Sequence, residues 1–280
     1  MDLKKASLNF GNINTMDIAA RLRAAGCVFA EDETRLLISA ARTPDDLATM
    51  VDRRAAGLPL EHIVGWAEFC GLRIAVDPGV FVPRRRTEFL VRQAADLARS
   101  GAVVVDLCCG SGALGAALAA AVERIELYAA DIDPAAVRCT RRNVAAAGGH
   151  VYEGDLYEPL PVNLRGRVDI LLANVPYVPT EAIGLLPPEA RIHEAQVALD
   201  GGSDGLDVLR RVAAAAPLWL APGGRLLVET SERQAPQSVE IFALSGLIPQ
   251  VVSSYELDAT VVIGTSPALQ NGSGKLFSIT

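Results

Sequence analysis

The chain has 280 residues, half of them apolar, with 26 lysines and arginines against 33 aspartates and glutamates for a net charge of −7. That length and apolar content exclude general disorder and allow one large domain or two ordinary ones. The acidic balance excludes a nonspecific hold on phosphate backbones, which needs cations to displace counterions, so no direct nucleic-acid partner is expected.

No stretch approaches the roughly 20 apolar residues of a membrane span, because arginine, glutamate and aspartate interrupt the alanine-rich runs. Lys4 and Lys5 are followed by Asn9, Asn12 and Asn14, not by the apolar core of a secretory signal, so the expected location is the cytoplasm. Cys27, Cys70, Cys108, Cys109 and Cys139 form no C-x-x-C pair and join no histidine cluster; reduced thiols are expected, with no metal site. Arg84, Arg85 and Arg86, and more weakly Arg138, Arg141 and Arg142, are basic patches expected to be solvated.

From Thr15 to about Leu60 apolar residues recur at helical spacing: Ile18, Leu22 and Ala25, then Leu36, Leu37, Ala40 and Ala41, then Leu47, Met50 and Val51. Thr43-Pro44-Asp45-Asp46 predicts a helix start, with a capping oxygen, a first-turn proline and two acids at the positive end of the dipole. Residues 1–66 are therefore expected to form a small helical domain. Glu68 to Val76 then alternates, Asp77-Pro78-Gly79 turns, and Val80-Phe81-Val82 returns, which predicts a β-hairpin linker over 67–82 closed by Pro83.

Over 83–280 strand and helix take turns, the pattern of a mostly parallel sheet covered on both faces. Strands are expected at Val103 to Leu107, Glu126 to Asp131, His150 to Gly154, Val168 to Ala173 and Arg225 to Glu229. Their apolar density suits burial on both sides. Gln250 to Tyr255 and Thr260 to Ile263 leave no room for a helix between them and should pair antiparallel. From Pro267 on, with Asn271-Gly272-Ser273-Gly274, a loose polar tail is expected.

Val103-Val104-Val105-Asp106-Leu107-Cys108-Cys109-Gly110-Ser111-Gly112 is a buried strand running into a glycine loop that opens a helix, the place where an open α/β sheet binds ligands. Gly110 to Gly115 spells G-x-G-x-x-G with Asp131 about 20 residues on, so a dinucleotide is one candidate. S-adenosylmethionine, a cation without phosphate, is the other. Asp106 would bring a carboxylate to its methionine-sulfonium region and repel a pyrophosphate, Asp131 would hold ribose hydroxyls, and Asp155 would accept from the adenine amino group. Alternatively Asp131 and Asp155 merely cap the helices that follow.

After the fully apolar fourth strand comes Asn174-Val175-Pro176-Tyr177. This resembles the N-P-P-Y motif of class I methyltransferases that alkylate amide or amino nitrogens. With Leu58 to Gly65, Val82-Pro83-Arg84 leading to Thr87-Glu88, and Glu194 to Gly202 with Asp204-Gly205-Leu206, the chain from about 45 to 264 is similar to the HemK/PrmC family of protein glutamine N5-methyltransferases. The resemblance implies an α/β fold, a Rossmann-like seven-stranded sheet, with a peptide-chain release factor as partner and S-adenosylmethionine as cofactor. It implies cofactor contacts from Asp106, Cys108, Cys109, Gly110, Ser111, Gly112, Asp131, Ile132, Asp155, Leu156 and Asn174, and catalytic roles for Asn174, Val175, Pro176 and Tyr177.

The chemistry of the turn stands beside the likeness. An amide nitrogen is a poor nucleophile, because its lone pair is delocalised into the carbonyl. The Asn174 side-chain oxygen and the Val175 main-chain carbonyl could each accept one N–H, while Tyr177 stacks on the planar group and Pro176 stiffens the turn. Val175 stands where the family has a second proline, Cys108 where the loop commonly opens with glycine, Arg85-Arg86 where it has Pro-Glu, and Thr230-Ser231 after the acid Glu229 where it has an aliphatic residue and glycine. The rivals are a nucleobase amino-group methyltransferase, a nicotinamide dehydrogenase and a non-catalytic binding protein.

Overall fold

Apolar residues three and four apart put one stripe on each N-terminal helix, and in the computed structural model, which describes residues 15–268, these stripes face one another. Helices α1 (Thr15–Ala24), α2 (Ala30–Ala40), α3 (Pro44–Ala55) and the short α4 (Leu60–Val64) enclose Leu22, Cys27, Leu37, Leu47, Met50 and Val51. Thr43 caps α3 as expected, its Oγ1 accepting from the Asp46 amide at 3.1 Å with Pro44 in the first turn. Lys4 to Asn14 and the tail beyond Ala268 lie outside the described residues.

The hairpin is shorter than the alternation suggested. Strands β1 (Trp66–Phe69) and β2 (Leu72–Ala75) pair antiparallel with Phe69 opposite Leu72, so the turn is Cys70-Gly71 and not Asp77-Pro78-Gly79. Both turn residues have positive φ, 50° and 73°, the two-residue geometry that follows the twist of the flanking strands. A two-residue turn preserves the period of two, so Glu68 to Val76 reads as one strand although it is folded in half. The stretch taken for the returning strand instead buries Val80 and Val82 with Ala67, Val76 and Cys139, while Gly79 bridges to Glu194.

Beyond α5 (Glu88–Leu97) come β3 (Val103–Leu107), α6 (Ala113–Ala121), β4 (Glu126–Asp131), α7 (Pro134–Asn143), β5 (His150–Glu153) and β6 (Val168–Ala173). Then follow α8 (Pro188–His193), α9 (Asp207–Trp219), β7 (Leu220–Thr230), α10 (Ala235–Leu244), β8 (Ile248–Ser254) and β9 (Ala259–Thr265). The seven strands from β3 on make one sheet in the order β5-β4-β3-β6-β7-β9-β8; β9 runs antiparallel to β7 and β8, and β3 to β7 run parallel.

Alternation along β3 serves both faces. Val103, Val105 and Leu107 join Leu209, Val212 and Phe242 on one side, and Val104 joins Leu90 and Leu118 on the other. The chain steps outward from β3 through β4 to β5, then returns to β6 on the other side of β3. That reversal opens a crevice at the carboxyl ends of β3 and β6, the ligand position of such sheets. Among the described residues all five cysteines are free, and no helix is long and apolar enough to cross a membrane.

Candidate active site

The loop after β3 turns its amides inward. Gly110 N–H donates to Asp131 Oδ2 at 2.8 Å, Gly112 N–H to the Cys109 carbonyl at 2.7 Å, and Gly115 N–H to Asp106 Oδ2 at 3.0 Å. A pyrophosphate would need those donors, which the protein's own acceptors already take. Gly112, with φ 76°, lets the loop approach α7: a Cβ there would lie 2.8 Å from Thr140 Cγ2. Thr140 in turn donates its hydroxyl to the Gly110 carbonyl at 2.9 Å.

One cavity of about 530 Å³ gathers most of the expected residues: Cys108, Cys109, Gly110, Ser111, Asp131, Ile132, Asp155, Leu156, Asn174, Val175, Pro176 and Tyr177. Asp106 and Gly112 are not on its wall. Asp106 is 1% exposed, lies behind the loop, and keeps Oδ1 buried without a partner among the described residues. Burial pushes its carboxyl up to about 8, only partly offset by the Gly115 amide. Asp106 thus underpins the loop from behind and does not reach the cavity itself. Burial, and then the neighbouring aspartates, push the Cys108 and Cys109 thiols far up, so both stand as neutral side chains.

The acids at the strand ends separate into caps and site residues. Asp133, not Asp131, caps α7, accepting from Ala135 N–H at 2.8 Å. Asp131 is thereby left to face the cavity, with Asp133 N–H at 2.9 Å and Gly110 N–H each using one of its oxygens; burial raises its carboxyl. Asp155 caps no helix. Its Oδ2 accepts from Arg211 of α9 at 2.5 Å, and Arg211 lines the same cavity.

At the end of β6 the Asn174 Oδ1 is buried and has no hydrogen-bond partner among the described residues. The Asn-Val-Pro-Tyr turn is stitched from behind: Val178 N–H donates to the Leu199 carbonyl at 3.1 Å, Gly201 N–H to the Val178 carbonyl at 2.9 Å, and Gln234 Nε2 to the Tyr177 carbonyl at 3.1 Å. Close backbone approach explains the glycines of the following segment. A Cβ on Gly201 would stand 2.7 Å from the Pro176 carbonyl oxygen, and one on Gly205 would run into that of Tyr177.

Three of the arginines expected to be solvated keep a third or more of their side chains exposed and each also pairs with a carboxylate. Arg84 Nη2 donates to both oxygens of Glu194 at 2.7 Å, and Arg86 Nε donates to Glu229 Oε1 at 3.0 Å, while Arg85 stays exposed. Arg142 likewise pairs with Asp77 at 2.7 Å. Sequence reasoning missed Arg86, Arg211, Glu194, Glu229 and Gln234 as parts of the site, because their partners are distant in sequence. With Arg84, Arg86 and Arg211 each facing a carboxylate, none offers an uncompensated charge to a nucleic-acid phosphate at the cavity.

S-adenosylmethionine fits these residues. Asp131 and Asp155 present carboxylates to a nucleoside without phosphate, Ile132 and Leu156 add apolar wall, and Asn174 leaves an acceptor that no group among the described residues takes. A sheet in this order, whose glycine loop keeps its amides for the protein's own acceptors, is that of a class I S-adenosylmethionine-dependent methyltransferase.

The Methyltransferase small domain family matches residues 71–205. A release factor glutamine methyltransferase of Mycolicibacterium smegmatis is 37% identical over 90% of this chain and 90% of its own. Another, of Geobacter sulfurreducens, is 40% identical over 72% of each. The chain belongs to the release factor glutamine methyltransferase family. A solved methyltransferase from Pyrococcus furiosus has a TM-score of 0.54 over 70% of this chain and 90% of that one at 16% identity, a likeness of fold.

Proposed function

We propose that the chain methylates the side-chain amide nitrogen of a protein glutamine, in the Gly-Gly-Gln loop of a peptide-chain release factor. The observation that carries this reading is the orphaned Asn174 Oδ1, a buried acceptor in the wall of the cofactor cavity. An unpaired buried acceptor costs about 1–3 kcal/mol, so its retention calls for a ligand donor. The names and coverage of the two relatives support taking that donor as a glutamine amide.

In this mechanism Asn174 Oδ1 accepts one N–H of the substrate amide and the Val175 main-chain carbonyl accepts the other. Because that second group is backbone, valine supplies it as well as proline would. The pair of acceptors orients the nitrogen, and Tyr177 and Pro176 confine the planar group from the side. S-adenosylmethionine, held by Asp131, Asp155 and the loop from Cys108 to Ser111, supplies an electrophilic methyl on a sulfonium sulfur when bound. Holding two reactants in near-attack geometry is worth up to about 7–11 kcal/mol, and neutral Cys108 and Cys109 take no covalent part. The helical region offers the partner a surface beside the cavity: Pro59 and Glu61 line it, and Val28 and Phe29 are exposed.

Incubation with methyl-labelled cofactor and a release factor tests this. Label is expected on the loop glutamine, and label confined to another acceptor refutes the substrate. Asn174→Ala should lose about 10²–10³-fold in turnover; equal turnover refutes the role of Asn174.

A further inference from the structure

We propose that Arg86 is a positioning residue, which fixes the Tyr177 ring beside the acceptor amide by tying its hydroxyl to the buried Glu229; this role rests on the methyl-transfer reading above. Glu229 follows Val228, whose partner on β6 is Ala173, the residue before Asn174. The carboxylate is 3% exposed. Its Oε1 accepts from Arg86 Nε at 3.0 Å and from the Tyr177 hydroxyl at 3.3 Å, and Arg86 Nη2 donates to that same hydroxyl.

The phenol therefore donates once and accepts once, and both bonds run to one edge of one guanidinium and its carboxylate partner. A hydroxyl that both donates and accepts is held in place, which leaves the side chain one setting about χ1, since the oxygen lies on the axis of χ2 and is not moved by it. The Arg86 Cζ lies 6.0 Å from the ring centroid, the outer limit for a cation–π contact, so the hydrogen bonds carry the link. Arg86, Tyr177 and Asn174 all line the cavity, which places this clamp within the acceptor end of the site. Only a guanidinium presents Nε and Nη2 as two parallel donors; an ammonium keeps the charge beside Glu229 and loses the fork.

The test measures kcat, KM for the release factor and cofactor affinity for the wild type, Arg86→Lys, Arg86→Leu, Tyr177→Phe and the Leu/Phe double variant. Tyr177 ring signals from selectively labelled tyrosine provide an arm independent of the acceptor. Arg86→Lys should melt like the wild type, lose about ten- to a hundredfold in kcat/KM for the release factor, and leave cofactor affinity within about twofold, the scale of small nonspecific effects. With tyrosine already replaced by phenylalanine, adding Arg86→Leu should cost several-fold less in kcat/KM than it does with the hydroxyl present, because only the tie to Glu229 is left to lose.

A wild-type rate in Arg86→Lys, or the same loss from Arg86→Leu with and without the Tyr177 hydroxyl, overturns the proposal. Should the wild type label no release factor, the substrate reading fails by itself, and the ring signals still decide this one. A single Tyr177 ring setting that broadens or splits in Arg86→Lys supports the clamp, and unchanged signals refute it.

Discussion

Replacing Arg84 by leucine exposes how strongly the cavity rim depends on one ion pair. Glu194 has a side chain only 1% exposed, and it accepts both 2.7 Å bonds from Arg84 Nη2 and a 3.1 Å bond from the Val82 amide. This carboxylate joins the residues that follow α8 to the stretch at Gly79 to Val82, and Phe81, Glu194 and Ala195 line the cavity. Removing the guanidinium leaves a buried charge with one amide donor, a change that costs about 3–5 kcal/mol. At about 2–4 °C per kcal/mol for a chain of this size, the melting temperature should fall by about 10 °C.

The loss should depend on pH in a defined direction. Burial already raises the Glu194 carboxyl even with Arg84 beside it, and Arg84→Leu raises it further. A carboxyl whose folded value lies above its unfolded one binds the extra proton in the folded state, so stability falls as pH rises from the unfolded value, about 4.3, through the folded one. Urea unfolding followed by circular dichroism should therefore show a small deficit at about pH 5 and the full one at about pH 8. Adding Glu194→Gln removes the charge, and the double variant should recover most of the stability at the higher pH. A single variant within about 0.5 kcal/mol of the wild type at that pH, the range of ordinary surface changes, or a double variant no better than the single, would refute the reasoning.

Two further outcomes follow from the glycine loop. Gly112→Ala, at φ 76° and with Thr140 Cγ2 2.8 Å from the new Cβ, should cost about 1–3 kcal/mol in backbone strain and weaken S-adenosylhomocysteine binding in calorimetry; unchanged affinity and stability would contradict the close packing of the loop on α7. Asp106 is pushed by burial up to about 8, so between its unfolded value near 3.9 and that pH the folded protein holds the extra proton and ligand-free stability falls as pH rises. Asp106→Asn keeps an acceptor for Gly115 N–H and cannot ionise, and should flatten that slope by up to about 1.4 kcal/mol per pH unit; an unaltered slope speaks against a buried neutral Asp106.

The sequence by itself determined the elements whose signal is local. β3, β4 and β6 fall where apolar runs place them, Thr43 caps where its chemistry demands, and the glycine loop and Asn-Val-Pro-Tyr turn lie at strand ends over one cavity. Each of these depends on neighbours a few residues away, and a period or a dihedral preference records that in the chain. Even there the hairpin misled, because a two-residue turn leaves the alternation of its strands unbroken.

Tertiary structure alone decided which charges meet. Arg86 and Glu229 are 143 positions apart, Arg84 and Glu194 are 110, and Arg54 of the helical region reaches Glu189 of α8 across 135. It also sorted equivalent-looking acids: Asp133 took the cap, Asp131 and Asp155 faced the cavity, and Asp106 went behind the loop. A carboxylate has no periodicity to betray its partner; its role is set by burial and by the donors that the folded backbone brings within about 3 Å.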